Sequence, residues 1–140
     1  MTIVVDSSAL VAILELEEDA EPLARVLVGA SVRWISTATL VESGIVMLRR
    51  RGAEGSRDLD ALLARLSVEP VPVSAEHARL AREAFARFGK GRHAAGLNYG
   101  DCFSYALARA AAAPLLCKGD EFGRTDVTVA PLDGALAAHP

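Results

Sequence analysis

The sequence predicts an α/β domain in which a central, mainly parallel sheet is covered by helices on both faces. Two observations predict it. Short apolar runs of the kind that form strands buried on both faces, "TIVV", "RWIS", "PLLC" and "VTVA", are separated by stretches of helical periodicity. Strands alternating with helices imply parallel pairing through crossovers, and hence three layers. A third observation bounds the architecture: the 140 residues contain no repeat, no low-complexity tract and no long linker, so residues 1–140 read as one domain with one core.

The elements follow in order. "TIVV" is the first strand and ends at Asp6, and "SSALVAILEL" is a helix with a serine cap. "AEPLARVLVGA" is a second helix, with Pro22 in its tolerant first turn. "RWIS" is the next strand, followed by a helix from about Leu40 to Arg51 and another from about Gly55 to Leu66. The two prolines of "VEPVPV" favour an edge or an incomplete strand. Ser74 caps a long helix whose apolar stripe is Ala81, Ala84, Phe85 and Phe88. A glycine-rich basic loop, "GKGRHAAGLNYG", leads to an alanine-rich helix opened by Asp101, with Phe103, Ala106, Leu107 and Ala110 on its apolar face. "PLLC" and "VTVA" complete the core strands.

Composition excludes several function classes. Just over half the residues are hydrophobic and 24% are charged, as in a globular domain. Apolar stretches stop well short of the roughly 18 residues of a membrane span. The start "MTIVVDSS" has no basic lead or cleavage site, so the cytoplasm is the expected compartment. Cys102 and Cys117 have no metal-ligand spacing and read as buried thiols rather than a disulfide. A net charge of −3 argues against a protein that coats long nucleic acid, though not against an enzyme gripping a few phosphates.

Acidic residues stand beside the apolar runs. Asp6 follows the first strand, Glu42 lies one turn into the helix after the second, and Asp101 opens its helix. "KGDEFGRTD" sets Asp120, Glu121 and Asp126 after "PLLC". In a parallel sheet, strand ends and the helix starts that leave them share the carboxyl edge, where ligands bind. Each acid also has a plain structural role available. Asp6 can cap the following helix, Thr39 and Glu42 fit a capping box, and Asp101 complements a helix dipole. Capping and ligation are compatible. Clustered carboxylates repel and take up protons unless a cation joins them, and a hard divalent ion suits oxygen donors. Competing chemistry is thin. "GKGRH" lacks P-loop spacing, no G-x-S-x-G elbow occurs, and His77, His93 and His139 have no zinc spacing.

With these residues in view, the sequence resembles the PIN-domain ribonucleases, specifically VapC toxins of type II toxin–antitoxin (VapBC) pairs. "IVVDSSALVAIL", "STATLVESGIVM", "GKGRHAAGLNYGDCFSYALA" and "PLLCKGDEFGRTD" carry the likeness, in the family's order and over nearly the whole chain. The resemblance implies a three-layer α/β/α fold and an Mg²⁺- or Mn²⁺-dependent endoribonuclease. It also implies a VapB-type antitoxin and a homodimer, within a larger toxin–antitoxin assembly. Asp6, Glu42 and Asp101 match the family's three most regular acidic positions. The fourth ligand lies between Asp120 and Glu121, with Asp120 preferred and Asp126 a nearby helper. Relatives often carry an aspartate directly before the phenylalanine, where Glu121 stands, and many have one at Gly119.

On that reading Asp6 and Asp101 hold the metal, while Glu42 and the fourth acid orient the attacking water or a second metal. Ser8 could donate to a carboxylate or to the scissile phosphate, or simply cap its helix. Lys90, Arg92 and His93 in the loop, together with Arg49, Arg50 and Arg51, are candidates for RNA phosphates, and Tyr99 for stacking on a base. Two rivals stand beside the nuclease. One is a catalytically silent PIN-like partner-binding module, favoured by the departure at Gly119. The other is a receiver-like phospho-accepting domain, in which Lys118 would serve as the lysine and Glu42 and Asp101 would have no task.

Overall fold

The computed structural model describes residues 1–133, so His139 lies outside the described residues. The chain runs β1 (Thr2–Val5), α1 (Ser7–Leu14), α2 (Ala20–Gly29), β2 (Val32–Ser36), α3 (Thr37–Arg65), β3 (Glu69–Val71), α4 (Ala75–Phe88), α5 (Tyr99–Ala111) and β4 (Leu115–Leu116). A 3₁₀ turn over Phe122–Arg124 follows. Four strands form one sheet in the order β3-β2-β1-β4, and every pairing is parallel. The fold is the expected three-layer α/β/α sandwich.

Strand pleating sorts the core into two halves. Ile3, Val5, Ile35 and Leu116 point to one face, where α1, α2 and α3 supply Leu10, Leu23, Leu27 and Met47. Val4 and Leu115, with Trp34 packed beside them, meet Leu80, Ala84, Phe88, Tyr105 and Leu107 of α4 and α5 on the other. The chain moves outward from β1 to β2 to β3 on the first helical layer, then returns across the second layer to β4 on the far side of β1. Strand order therefore reverses at β1, and the crevice that such a reversal opens lies at the carboxyl end of β1.

Several local expectations are corrected. Asp6, not a serine, caps α1, because its carboxylate accepts from the Ser8 amide. α3 begins at Thr37 with Ser36 as its cap, so Thr39 and Glu42 sit inside the helix and form no capping box. The expected break in this region is real, since Arg51 and Gly52 leave helical dihedrals, but the second segment resumes at once rather than at Gly55. Asn98 caps α5, which puts Asp101 in its first turn and not at its start. Phe85 is 40% exposed and its ring lies over Gly89, while Leu80 takes its place in the buried stripe of α4. On α5, Ala110 is exposed and Cys102 and Tyr105 are buried instead. "VTVA" forms a single parallel bridge, Val129 to Leu115, and no named strand. "VEPVPV" supplies the edge strand β3, as its prolines require.

One side chain locks the first helical layer to the sheet. Arg33 of β2 donates to the carbonyls of Leu27 and Val28 at the end of α2, at 2.5 and 2.7 Å. It also donates to Leu66 at the end of α3, at 2.8 Å. Terminal helix carbonyls have no intrahelical partner, and a cation also complements their negative dipole. Replacing Arg33 with Met keeps much of the apolar stem and removes the donors. The expected loss is about 2 kcal/mol, read as a lowered urea midpoint with unchanged m-value.

Candidate active site

Asp6 emerges from β1 at the reversal point and is only 2% exposed. A buried carboxylate is tolerable when its lone pairs are satisfied. Here Oδ2 accepts from the Ser8 amide at 3.0 Å and the Ser8 hydroxyl at 2.6 Å, and Oδ1 accepts from the Ser104 hydroxyl at 2.5 Å. Ser8 in turn accepts from the Lys118 amide, at 3.0 Å, which ties the β1–α1 junction to the segment leaving β4.

Glu42 reaches the same crevice from α3. Ser7 donates to its Oε1 at 2.8 Å. Its carboxyl rests against Gly100, where an added Cβ would stand 2.1 Å from Oε2, so only glycine allows this approach. That contact brings Glu42 beside the first turn of α5, which carries Asp101. Asp101 exchanges two bonds with Asn98 in a true capping box, its Oδ2 accepting from the Asn98 amide at 3.0 Å. Oδ1 stays outside that pair.

The electrostatics record the crowding. Burial raises the Asp101 carboxyl from its usual 3.8 to about 6; the Asn98 amide opposes this, and the charges of Asp6, Glu42 and Glu121 add to it. Burial also raises Glu42, against the Ser7 bond and with the charge of Asp6. Acids from three other segments thus bear on Asp101. Cys117 shares this neighbourhood, but burial and the charges of Asp6, Glu121 and Asp101 push its thiol up to about 12, so it stays protonated.

The candidates for a fourth acid separate. Glu121 acts on Asp101, and its carboxylate folds over Gly119, which has φ +100, a backbone conformation that an aspartate there would adopt only under strain. Asp120 is exposed and is not among the charges that act on Asp101, which runs against the preference for it. Asp126 is committed elsewhere. Its oxygens accept from Tyr105 at 2.6 Å, Arg109 at 3.0 Å and Arg87 at 3.2 Å. Burial works against its charge, but these donors outweigh it and hold its carboxyl below the usual range.

The basic candidates also sort themselves. Arg50 and Arg51 pair with Glu15, Glu17, Glu54 and Asp58, which takes them out of the set available for phosphate. Lys90, Arg92 and His93 are exposed in the loop before α5. Arg92 Nε donates to the Ala86 carbonyl at 3.0 Å, and His93 Nδ1 accepts from the Ala95 amide at 2.9 Å. Tyr99 is 80% exposed and meets Phe103 edge-on at 5.0 Å. Lys118 pairs with Glu17 and with Asp19. A receiver-like lysine would have to reach the acids, and this one is held by others.

Sequence reasoning missed Ser7, Ser104 and Gly100. For Ser104 a signal existed: it is a polar residue three positions after Asp101, one helical turn on, between the hydrophobic Phe103 and Ala106.

The donor set fits a hard divalent cation. It is made of carboxylate and hydroxyl oxygens, and the carboxyls of Glu42 and Asp101, both raised by burial and both facing the charge of Asp6, are in a conflict that a doubly positive ion would relieve. Among the described residues no three acid, histidine or cysteine side chains are grouped closely enough to hold an ion unaided.

Comparison with known proteins now decides the family. Residues 3–127 match the PIN domain. The chain belongs to the PIN-domain family, in its VapC branch. It is 55% identical to "Ribonuclease VapC" of Mycolicibacterium smegmatis over 89% of this chain and 96% of that one. It is 47% identical to "Ribonuclease VapC30" of Mycobacterium tuberculosis over 92% and 98%. Among solved structures, Mycobacterium tuberculosis VapC20, described as a Sarcin-Ricin loop cleaving toxin, superposes with a TM-score of 0.75 at 19% identity, covering 91% of this chain and 98% of that chain. The DNA-bound VapBC of Salmonella typhimurium superposes with a TM-score of 0.65 at 19% identity, covering 92% and 96%. Both show the PIN fold. Among the described residues of this VapC-family chain, no helix is long and apolar enough to cross a membrane.

A pH dependence follows from the raised Asp101. Its folded-state value exceeds the unfolded 3.8, so its contribution to stability is complete below about pH 4 and is gone once pH passes about 6. In EDTA, the melting temperature of Asp101→Asn minus that of the unmodified chain should grow between pH 4 and pH 7. A difference that stays flat or shrinks contradicts the crowding.

Proposed function

We propose that this chain is a metal-dependent endoribonuclease toxin that hydrolyses RNA phosphodiester bonds and is neutralised by a VapB-type antitoxin. The observation that carries the proposal is that the charges of Asp6, Glu42 and Glu121 all bear on Asp101, with Asp6 held at the end of β1 and Glu42 against the first turn of α5. Its VapC relatives named as ribonucleases support the reaction class.

Asp6 and Asp101 are the residues to hold Mg²⁺ or Mn²⁺, with Glu42 and Glu121 beside them. When bound, such an ion clamps phosphate oxygens and lowers the pKa of water. Asp6 enters the site pre-oriented by its serine donors, so little reorganisation accompanies ligand binding. Glu42, held by Ser7 and raised by burial, is placed to orient the attacking water and to accept its proton. Attack in line on phosphorus expels the 3′-oxygen, leaving a 3′-hydroxyl and a 5′-phosphate. Lys90, Arg92 and His93 supply exposed donors for backbone phosphates, and Tyr99 presents an open ring for a base.

The same acidity makes the site easy to neutralise. An antitoxin arginine entering the crevice would find a bidentate carboxylate partner and exclude both cation and substrate. We take a homodimer as the working assembly.

The test uses purified chain and total RNA. Mg²⁺ or Mn²⁺ should support cleavage and EDTA should abolish it, with Asp6→Asn and Asp101→Asn each lowering the rate at least about 100-fold. Undiminished cleavage in both variants would overturn the proposal, and metal-independent inertness of the unmodified chain would favour a silent binding module.

A further inference from the structure

Ser104 is fully buried in the middle of α5, among Cys102, Tyr105, Ala106, Leu107 and Ala108. Its hydroxyl donates to Asp6 Oδ1, the oxygen that Ser8 does not engage. A serine hydroxyl has one hydrogen. With that hydrogen given to Asp6, the 3.2 Å contact between Ser104 and Thr39 has Thr39 as the donor. Thr39 is itself only 1% exposed, and its carbonyl accepts from the Ser43 hydroxyl at 2.8 Å. The order is therefore Thr39 to Ser104 to Asp6.

We propose that Thr39 and Ser104 form a buried hydroxyl relay that positions the Asp6 carboxylate for cation binding. The inference rests on the acidic-site reading above and deepens it. Thr39 lies three residues before Glu42 on α3, and Ser104 three residues after Asp101 on α5. Residues three apart share a helix face. The relay thus joins the three acid-bearing elements at the level of their acids: β1 through Asp6, α3 beside Glu42 and α5 beside Asp101. Packing alone does not call for it. An alanine at 104 and a valine at 39 would fill apolar surroundings without burying two hydroxyls, which is unfavourable unless they are hydrogen-bonded. Both hydroxyls are spent in one direction, and the chain they form ends on a carboxylate oxygen. Ser104 and Thr39 are positioning residues, acting through Asp6.

The experiment is calorimetric titration of Mn²⁺ into chain stripped with EDTA, comparing the unmodified protein with Ser104→Ala, Thr39→Val, Thr39→Ser and Asp6→Asn. Supporting groups of this kind typically change metal affinity 10- to 100-fold, so Ser104→Ala should weaken Mn²⁺ binding by about that factor. Thr39→Val, which keeps the shape and removes the donor, should weaken it in the same direction by less. Thr39→Ser, which restores the donor, should bind within about a factor of two of the unmodified chain. Urea midpoints report folding separately. Unchanged affinity in Ser104→Ala overturns the relay while leaving the acidic site standing, provided Asp6→Asn has lost binding. Should Ser104→Ala fail to fold, unchanged affinity in Thr39→Val overturns it instead. Absence of Mn²⁺ binding by the unmodified chain, or binding indifferent to Asp6→Asn, overturns the site reading and the relay with it.

Discussion

Closing a carboxylate off from water at the end of the central strand is the constraint around which this molecule is arranged. Asp6 sits where strand order reverses, and its burial is tolerable only because neighbouring segments aim donors at it. Ser8 comes from its own helix cap and Ser104 from α5, on the opposite face of the sheet. Asp6 thereby ties α1 and α5 to the strand end from opposite faces of the sheet. The first turn of α5 also meets α3, where Gly100 yields room for Glu42. A site assembled in this way is a consequence of satisfying one buried group, and the crowding of its other acids follows.

The distribution of charge reinforces that arrangement. Several cations are drawn into pairs of their own: Lys118 with Glu17 and Asp19, Arg50 with Glu15 and Glu17, Arg51 with Glu15, Glu54 and Asp58, and Arg87 and Arg109 with Asp126. None of them contributes to the shift at Asp101, whose charged neighbours are all acidic. The acids are therefore left to oppose one another, a condition that protons relieve at low pH and a divalent cation would relieve at neutral pH. Surface pairs of this kind add little stability.

Much of this was legible in the sequence. Buried parallel strands declare themselves as short apolar runs, and the acids after them follow from where such strands end, so Asp6, Glu42 and Asp101 could be named together. What was not legible depended on tertiary partners. Thr39 and Glu42 have the spacing of a capping box, but Ser36 already caps α3 three residues earlier, and the Thr39 hydroxyl is used across the core by Ser104. "VTVA" has strand composition, yet beyond β4 it makes one bridge only. That the charge of Glu121 and not of Asp120 acts on Asp101 depends on how the chain folds after β4, past a positive φ at Gly119, which no pattern of residue types announces. Asp126 looked like part of the acidic run until Tyr105 and two arginines, distant in sequence, claimed it.

The central claim is that these carboxylates bind a divalent cation at the end of β1. The measurement that addresses it most directly is anomalous diffraction from crystals of the chain soaked in Mn²⁺ near neutral pH. The account predicts a Mn²⁺ peak in the crevice, within ligating reach of Asp6 or Asp101 and beside Glu42. Strong peaks confined to other acids such as Asp126 or Asp58, with the crevice empty at saturating Mn²⁺, would contradict it.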